Sequence, residues 1–141
     1  MLIFNSNNLT IQIVRRLNLT VFTWSGTLSS ESFVEGTIQS LEVLREHRSV
    51  HRVVMNAREI TALEQKDVDA SVKSTVDYLG ITRANYRMSV VSPLDARARE
   101  TINFYIDALN TALKKRFIVK QHRSVKEALS WLKLPKACTL F

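Results

Sequence analysis

His51-Arg52-Val53-Val54-Met55-Asn56-Ala57-Arg58-Glu59-Ile60-Thr61-Ala62-Leu63-Glu64-Gln65-Lys66-Asp67 opens as an apolar run and ends as a polar approach to a helix. Val53-Val54-Met55 lacks the alternation of a half-wet strand, so residues 51–56 read as a central strand buried on both faces of a sheet. Thr61-Ala62-Leu63-Glu64 has the spacing of a capping box, a hydroxyl residue followed three positions later by Glu, and a helix is expected to start there. Ligands of open α/β sheets collect at the carboxyl ends of strands. The polar residues Asn56, Arg58, Glu59, Glu64, Gln65, Lys66 and Asp67 are therefore the first candidate binding surface, on a loop carried by a rigid scaffold. They would serve equally well as a solvated connection.

Working outward, Val68, Val72, Val76 and Leu79 form the apolar stripe of the helix that follows, and Gly80 reads as its left-handed stop. Upstream, Leu9-Thr10-Ile11-Gln12-Ile13-Val14 and Leu19-Thr20-Val21-Phe22-Thr23-Trp24 alternate, with only Arg15 to Asn18 between them, which predicts an antiparallel hairpin. Gly26 ends the second strand. A helix is expected to begin around Ser29 to Ser32, with Glu31 and Glu35 near the positive end of its dipole and Val34, Ile38, Leu41 and Leu44 on its buried face. Gly36 inside that helix costs about 1 kcal/mol relative to Ala, a cost that close packing would justify.

Downstream, Tyr86 to Val91 is the next strand. Ser92-Pro93-Leu94-Asp95 offers a Ser cap, Pro at the first helical position and Asp at the third. The helix it opens should reach about Lys115, with Ala98, Ile102, Ile106, Leu109 and Leu113 as its main stripe. Leu94, Thr101, Phe104, Ala108 and Ala112 form a second, semi-apolar line. Phe117-Ile118-Val119 reads as a short last strand, and Ser124-Val125-Lys126-Glu127 as a capping box for a final helix that Pro135 closes. The order β-β-α-β-α-β-α-β-α predicts an α/β fold: a mixed sheet of about five strands, built from an N-terminal hairpin and alternating β-α units, with four amphipathic helices. Residues 1–141 read as one domain, with a core over about 9–134 and a tail at 135–141.

The composition suits a water-soluble globular chain. Of 141 residues, 45% are hydrophobic and 23% charged, and three Gly and two Pro leave little room for linkers. The start lacks the basic segment and apolar core of a secretory signal, and no run approaches the ~20 apolar residues of a membrane helix. A lone Cys138 allows no internal disulfide. A cytoplasmic protein without membrane insertion is expected. The formal charge of +7 is uneven: residues 1–82 carry 8 Lys and Arg against 9 Asp and Glu, whereas residues 83–141 carry 12 against 4. Such asymmetry raises the prospect of an anionic partner.

The pattern resembles the STAS domain, the fold of bacterial anti-sigma-factor antagonists, and especially its stand-alone relatives. Phe22-Thr23-Trp24-Ser25-Gly26-Thr27-Leu28 is similar to the family's apolar strand ending in Gly-x-Leu. Val53-Val54-Met55-Asn56 is similar to its central strand, which usually ends in Asp. Ser124-Val125-Lys126-Glu127-Ala128-Leu129-Ser130-Trp131-Leu132 resembles the closing helix of the stand-alone relatives. The resemblance covers about residues 9 to 134. It implies a regulatory scaffold that works by binding a protein partner. Antagonists controlled by phosphorylation carry a turn like Asp-Ser-Ser-Gly before the second helix. Here Glu64-Gln65-Lys66-Asp67 falls on that turn, and Gln65 and Lys66 stand where the serines would. The resemblance therefore implies a scaffold without its phosphorylated serine. Related lipid-carrier domains of this general fold also raise a hydrophobic groove as an alternative.

Catalytic and metal-binding patterns are weak. His47, His51 and His122 lie in separate elements, without ligand spacing between any pair. No Gly-x-Ser-x-Gly elbow occurs, and Gly26, Gly36 and Gly80 are too scattered for a phosphate loop. Asn56 stands where a receiver-type phosphoacceptor would need an acid. The expected function is thus non-catalytic: engagement of a protein partner or small ligand through Asn56, Arg58, Glu64, Gln65, Lys66 and Asp67, with no cofactor. Arg83, Arg87, Arg97 and Arg99 near the start of the long helix form a possible anion-binding set, with nucleic acid as the alternative partner. The segment lacks the interleaved aromatics of a single-strand platform. The second line on the long helix leaves a homodimer contact open.

Overall fold

The structure, a computed structural model, describes residues 1–81 and 85–133. Six strands, β1 (Leu2–Asn5), β2 (Leu9–Val14), β3 (Leu19–Thr27), β4 (Arg52–Ala62), β5 (Tyr86–Val91) and β6 (Phe117–His122), form one sheet in the spatial order of the chain. The first three pair antiparallel; β3, β4, β5 and β6 run parallel. Helices α1 (Ser30–Glu46), α2 (Gln65–Ile81) and α3 (Ala96–Leu113) connect the parallel strands, and α4 (Val125–Trp131) follows β6. Crossovers of one hand between consecutive neighbours deposit their helices, α1, α2 and α3, on the same face. Accordingly Phe33, Val68, Ile102 and Leu109 join Val53, Met55, Met88 and Val90 in one core, while α4 alone covers the other face with Leu129 and Leu132 against Leu19, Val21, Val54 and Val91. The α/β mixed sheet with four helices is as expected, with a sixth strand added.

That strand, β1, has no readable alternation over its four residues. It is held at the sheet edge because Ile13 N donates to Met1 O at 2.9 Å, and a bulge lies between Leu2 and Phe4. The hairpin of β2 and β3 forms as expected, its link tightened by a 3-10 turn and by Asn18 in the left-handed region at φ 52°.

The main correction concerns the central strand, which runs to Ala62 instead of ending near Asn56. Thr23 faces Asn56 but Ser25 faces Glu59, so β4 bulges outward beside β3. Asn56 Oδ1 accepts a hydrogen bond from Arg58 N at 3.2 Å inside the bulge. The extra residue changes the phase of the alternation. Ala57 and Ile60, three apart, both enter the same core, while Arg58 and Glu59 stay outside. Thr61 is consequently a strand residue, its hydroxyl 3.2 Å from that of Thr27, and the Thr61–Glu64 capping box does not form.

Other element ends differ by local chemistry. Helix α1 is capped by Ser29 and Ser32 reciprocally, and its buried residues are Phe33, Gly36, Thr37, Ser40, Leu41, Val43 and Leu44; Ile38, placed inside by the sequence pattern, is exposed. The face rotates because Gly36 lets the Trp24 ring lie against the helix backbone. Helix α2 continues one residue past Gly80. Helix α3 is capped by Asp95, whose carboxylate accepts from Ala98 N at 2.9 Å, whereas Ser92 Oγ donates to His122 O across the strand ends. Ser124 caps α4, but Glu127 reaches back to Arg123 N and not to the cap residue. Pro135, the expected tail and Cys138 lie outside the described residues.

A Cβ at Gly36 would sit 2.3 Å from Trp24 Cη2 and 3.2 Å from Leu9 Cδ2. Trp24 is 3% exposed and tilted against Phe33 at 5.1 Å, so its ring has nowhere to go. Gly36→Ala should therefore destabilise the fold by about 1–3 kcal/mol in spite of the better helix propensity of Ala. Urea unfolding measures this, and adding Trp24→Leu should make the two costs less than additive. A Gly36→Ala protein as stable as the parent would refute this packing.

Candidate functional site

The expected binding loop is shorter than its sequence implied. Between β4 and α2 only Leu63 and Glu64 belong to neither element, and Leu63 is buried. Asn56 is buried within the strand and spends its carbonyl on the bulge. Asp67, in the first turn of α2, is also buried. Arg58, Glu64, Gln65 and Lys66 stay exposed, with Lys66 Nζ 3.4 Å from Glu64 Oε2 and both side chains turned to water. A pair this exposed adds little stability and leaves both charges available to a partner.

Of these, Glu64 and Gln65 line a cleft of about 620 Å³, with Thr61 to Gln65 on one side and Asp95, Arg97, Ala98, Glu100 and Thr101 at the start of α3 on the other. The walls are braced through the backbone. Leu94 N donates to Arg58 O at 3.1 Å, and Leu28 N donates to Ala62 O at 2.9 Å. Leu94 itself is 64% exposed.

The four arginines of the expected anion set do not assemble. Arg83 lies outside the described residues. Arg87 is at the opposite end of β5 from α3, roughly 13 Å back along the strand at the usual rise per residue. Its guanidinium lies over the Trp131 ring at 4.5 Å and donates to Trp131 O, which ties α4 to the sheet. Arg97 lines the cleft just described. Arg99 points the other way around α3: Nε donates to Pro93 O at 3.2 Å and Nη2 to Leu94 O at 3.0 Å.

A second, larger cleft of about 850 Å³ lies at the carboxyl ends of β5 and β6, lined by residues from Ser92 to Leu94, Arg99, Asn103, Gln121 to Arg123 and Glu127. Gln121 Nε2 donates to Ser92 Oγ at 2.6 Å, and Ser92 Oγ in turn donates to His122 O. His122 Nδ1 is 2.6 Å from the buried hydroxyl of Ser89, and its ring stacks obliquely on Trp131 at 5.5 Å. Gln121 and Arg123 carry no signal in the sequence because the apolar pattern Phe117-Ile118-Val119 puts the end of β6 at Val119, and Asn103 reads only as a polar residue of α3. Three more strand residues carry Gln121 and His122 to the sheet's rim.

Beneath α1, α2 and α3 the interior contains a layer of small hydroxyls. Thr37 and Ser71 are 2.7 Å apart, and burial pushes the nearby Tyr105 phenol up to about 12, against a hydrogen bond from Ser71 that favours its ionised form. The partly open space lined by Trp24, Phe33, Thr37, Thr75 and Tyr105 is about 30 Å³, the size of one or two waters and far below a lipid chain. Among the described residues no three His, Cys, Asp or Glu side chains group as metal ligands, and no helix is long and apolar enough to cross a membrane.

Comparison with family models, curated proteins and solved structures finds no significant match.

The surroundings of His122 make one pH effect testable. Burial holds its pKa below the ordinary value of 6.5, Lys120 adds to this, and Glu127 opposes it. The unfolded chain thus binds the proton more tightly than the folded one. The stability this contributes is present above about pH 6.5 and lost as pH falls through the folded-state pKa. An NMR titration of the His122 ring should give a midpoint below 6.5, and urea midpoints should fall between pH 7.5 and 5.5 less steeply in His122→Asn. A His122 midpoint above 6.5 would reverse the sign.

Proposed function

We propose that this chain is a non-catalytic binding domain of the STAS-like regulatory kind, which engages a protein partner where β4 passes into α2 beside the start of α3. The observation that carries the reading is Leu94, a large apolar side chain 64% exposed on a backbone pinned to Arg58. Arg58, whose carbonyl holds Leu94 N, is exposed, as are Glu64 and Lys66 at the start of α2 and Arg97 at the start of α3. An apolar anchor on rigid backbone, rimmed by both signs of charge, suits a protein interface: the anchor supplies most of the affinity and the rim sets orientation. Mixed charge at the rim also disfavours a polyanionic partner there.

The scaffold needs no serine switch for this. Gln65 and Lys66 occupy the exposed first turn of α2, where they offer an amide and an ammonium in place of two phosphorylatable hydroxyls. Control of binding would then come from partner concentration or from the partner's own state. The small volume of the space under the helices weighs against an internal hydrophobic ligand.

The test is affinity capture from the native cell at about 150 mM salt, where non-specific phosphate contacts are already weakened. The unaltered protein should retain a protein partner that survives nuclease treatment. Leu94→Ser should reduce retention about tenfold or more, and Gln65→Ala with Lys66→Ala should reduce it less. Lys126→Ala, on α4, serves as a control that retains the partner. Capture of nucleic acid alone, or of a protein indifferent to Leu94→Ser, would discard this reading.

A further inference from the structure

The cleft at the ends of β5 and β6 is bordered by Leu94 too, but its other walls are largely polar and bring Arg99 and Arg123 together, which calls for a different ligand. We infer that it is a binding site for a small organic oxyanion, a phosphate monoester or a carboxylate carrying hydroxyl groups, held by Arg99 and Arg123 with Asn103 and Gln121 beside them.

Arg99 carries the argument. Its guanidinium is fixed by two backbone carbonyls, Pro93 O on Nε and Leu94 O on Nη2. Both acceptors are neutral, so the guanidinium is oriented without its charge being balanced. Of its five N–H donors three are left over, in a planar fork that matches the oxygens of a phosphoryl or carboxylate group. Arg123 brings a second guanidinium to the same cleft. Among the described residues neither has a carboxylate within ion-pair distance; the pairs that form are Arg45 with Glu42 and Lys66 with Glu64. Glu127 reaches the cleft as well, and one of its oxygens already accepts from the backbone of Arg123.

The remaining lining is polar and braced. Gln121 gives its amide hydrogen to Ser92 Oγ, which is itself turned toward His122 O. This fixes the Gln121 side chain, and its Oε1 has no partner among the described residues. Asn103 stands one turn of α3 beyond Arg99, on the same flank. Two cations thus meet a fixed amide acceptor and a carboxylate. The cations match an oxyanion, and the acceptors match hydroxyls on the body of the same molecule. The site's volume of about 850 Å³ is that of a small-molecule cleft. Its place beyond the carboxyl ends of two parallel strands is where such ligands collect in open α/β sheets.

The experiment is NMR chemical-shift titration of the full chain with inorganic phosphate and with glycerol 2-phosphate, against sodium chloride of matched ionic strength. Both phosphates should saturate below about 10 mM, with the ester binding more tightly than phosphate because its hydroxyls reach Gln121 and Glu127. Perturbed amides should centre on residues 92–94, 99–103 and 121–123. Arg123→Gln, whose side chain holds nothing else in place, should weaken both about fivefold or more. Arg99→Lys keeps the charge but removes the fork, and should weaken both to a similar extent. Gln121→Leu should erase the preference for the ester and leave phosphate binding nearly unchanged. Three outcomes overturn the inference: no saturation by either phosphate, equal binding by parent and Arg123→Gln, or shifts centred on residues 61–65 and 97. A fourth is RNA binding whose salt dependence corresponds to several phosphates and whose shifts spread to Lys120 and Lys126, for the site would then be part of a nucleic-acid surface.

Discussion

The parallel ladder between β3 and β4, with its bulge at Asn56–Arg58, is the constraint on which the rest of the molecule depends. It joins Leu19–Thr27 to Arg52–Ala62 along the whole length of both strands, whereas β4 and β5 pair only from Arg52/Arg87 to Asn56/Val91. Past Val91 the two central strands continue as a ribbon. Without the bulge, strict alternation would turn Ile60 to the wrong face and bring the charged Glu59 against the helices. The bonded Asn56 side chain lets the strand bend through the extra residue and still bury Ala57, Ile60 and Leu63 in one core. The ribbon then carries the chain to α2 with almost no loop, and its Arg58 carbonyl receives Leu94 N. This hydrogen-bonded bulge, with a second register shift where Gly26 faces Ile60 but Thr27 faces Ala62, therefore sets both the height of α2 and the position of the lead into α3.

Packing on the helix side follows from an equally local choice. Trp24 projects from β3 toward α1, and only a residue without Cβ at position 36 admits its ring. Phe33 meets both Trp24 and Tyr105, which links β3 to α1 and α1 to α3 through aromatic edges. The buried hydroxyls of Thr37, Ser71 and Thr75 bond to helix carbonyls or to each other. A layer of small side chains lets the three helices lie close, and its hydrogen bonds offset the cost of burying polar groups.

These two features explain which parts of the structure were legible in the sequence. The β2–β3 hairpin, the β5 strand, the stripe of α3 and the doubly buried Val53-Val54-Met55 follow the simple periods of strand and helix, and they stand where those periods put them. The end of β4 was illegible because a bulge destroys the period that would reveal it: Ala57-Arg58-Glu59-Ile60 reads as a polar turn. The face of α1 was misjudged because hydrophobicity selects Ile38 over Gly36, whereas the ring across from it selects the reverse. The same bulge draws Asn56 from the expected surface into the strand, and Asp67 is buried in the first turn of α2, whereas the rim at Gln121 and His122 is hidden by the short apolar run of β6.

Charge needs the same care. The excess of cations after residue 82 invites a polyanion, yet arginines on both sides of that boundary, Arg87 and Arg99 in the basic half and Arg52 before it, are cross-links between segments. Arg52 donates to carbonyls of Leu17, Asn18 and Leu132, and Arg87 to Trp131, so the two together fasten α4 and the hairpin link to the sheet. A guanidinium suits this task because its donors reach several carbonyls at once while its stem packs on apolar surface. Arg99 does likewise for the lead into α3. These cations keep their charge while giving up part of their donor capacity, which turns a diffuse basic half into specific places. At Arg52 and Arg87 the cation is half-buried and committed to the scaffold. At Arg99 the same bracing leaves the outer part of the fork facing a cleft, beside Arg123. The sign of the field over the C-terminal half therefore says little about ligand class, and the geometry of the few guanidinium donors left over says more.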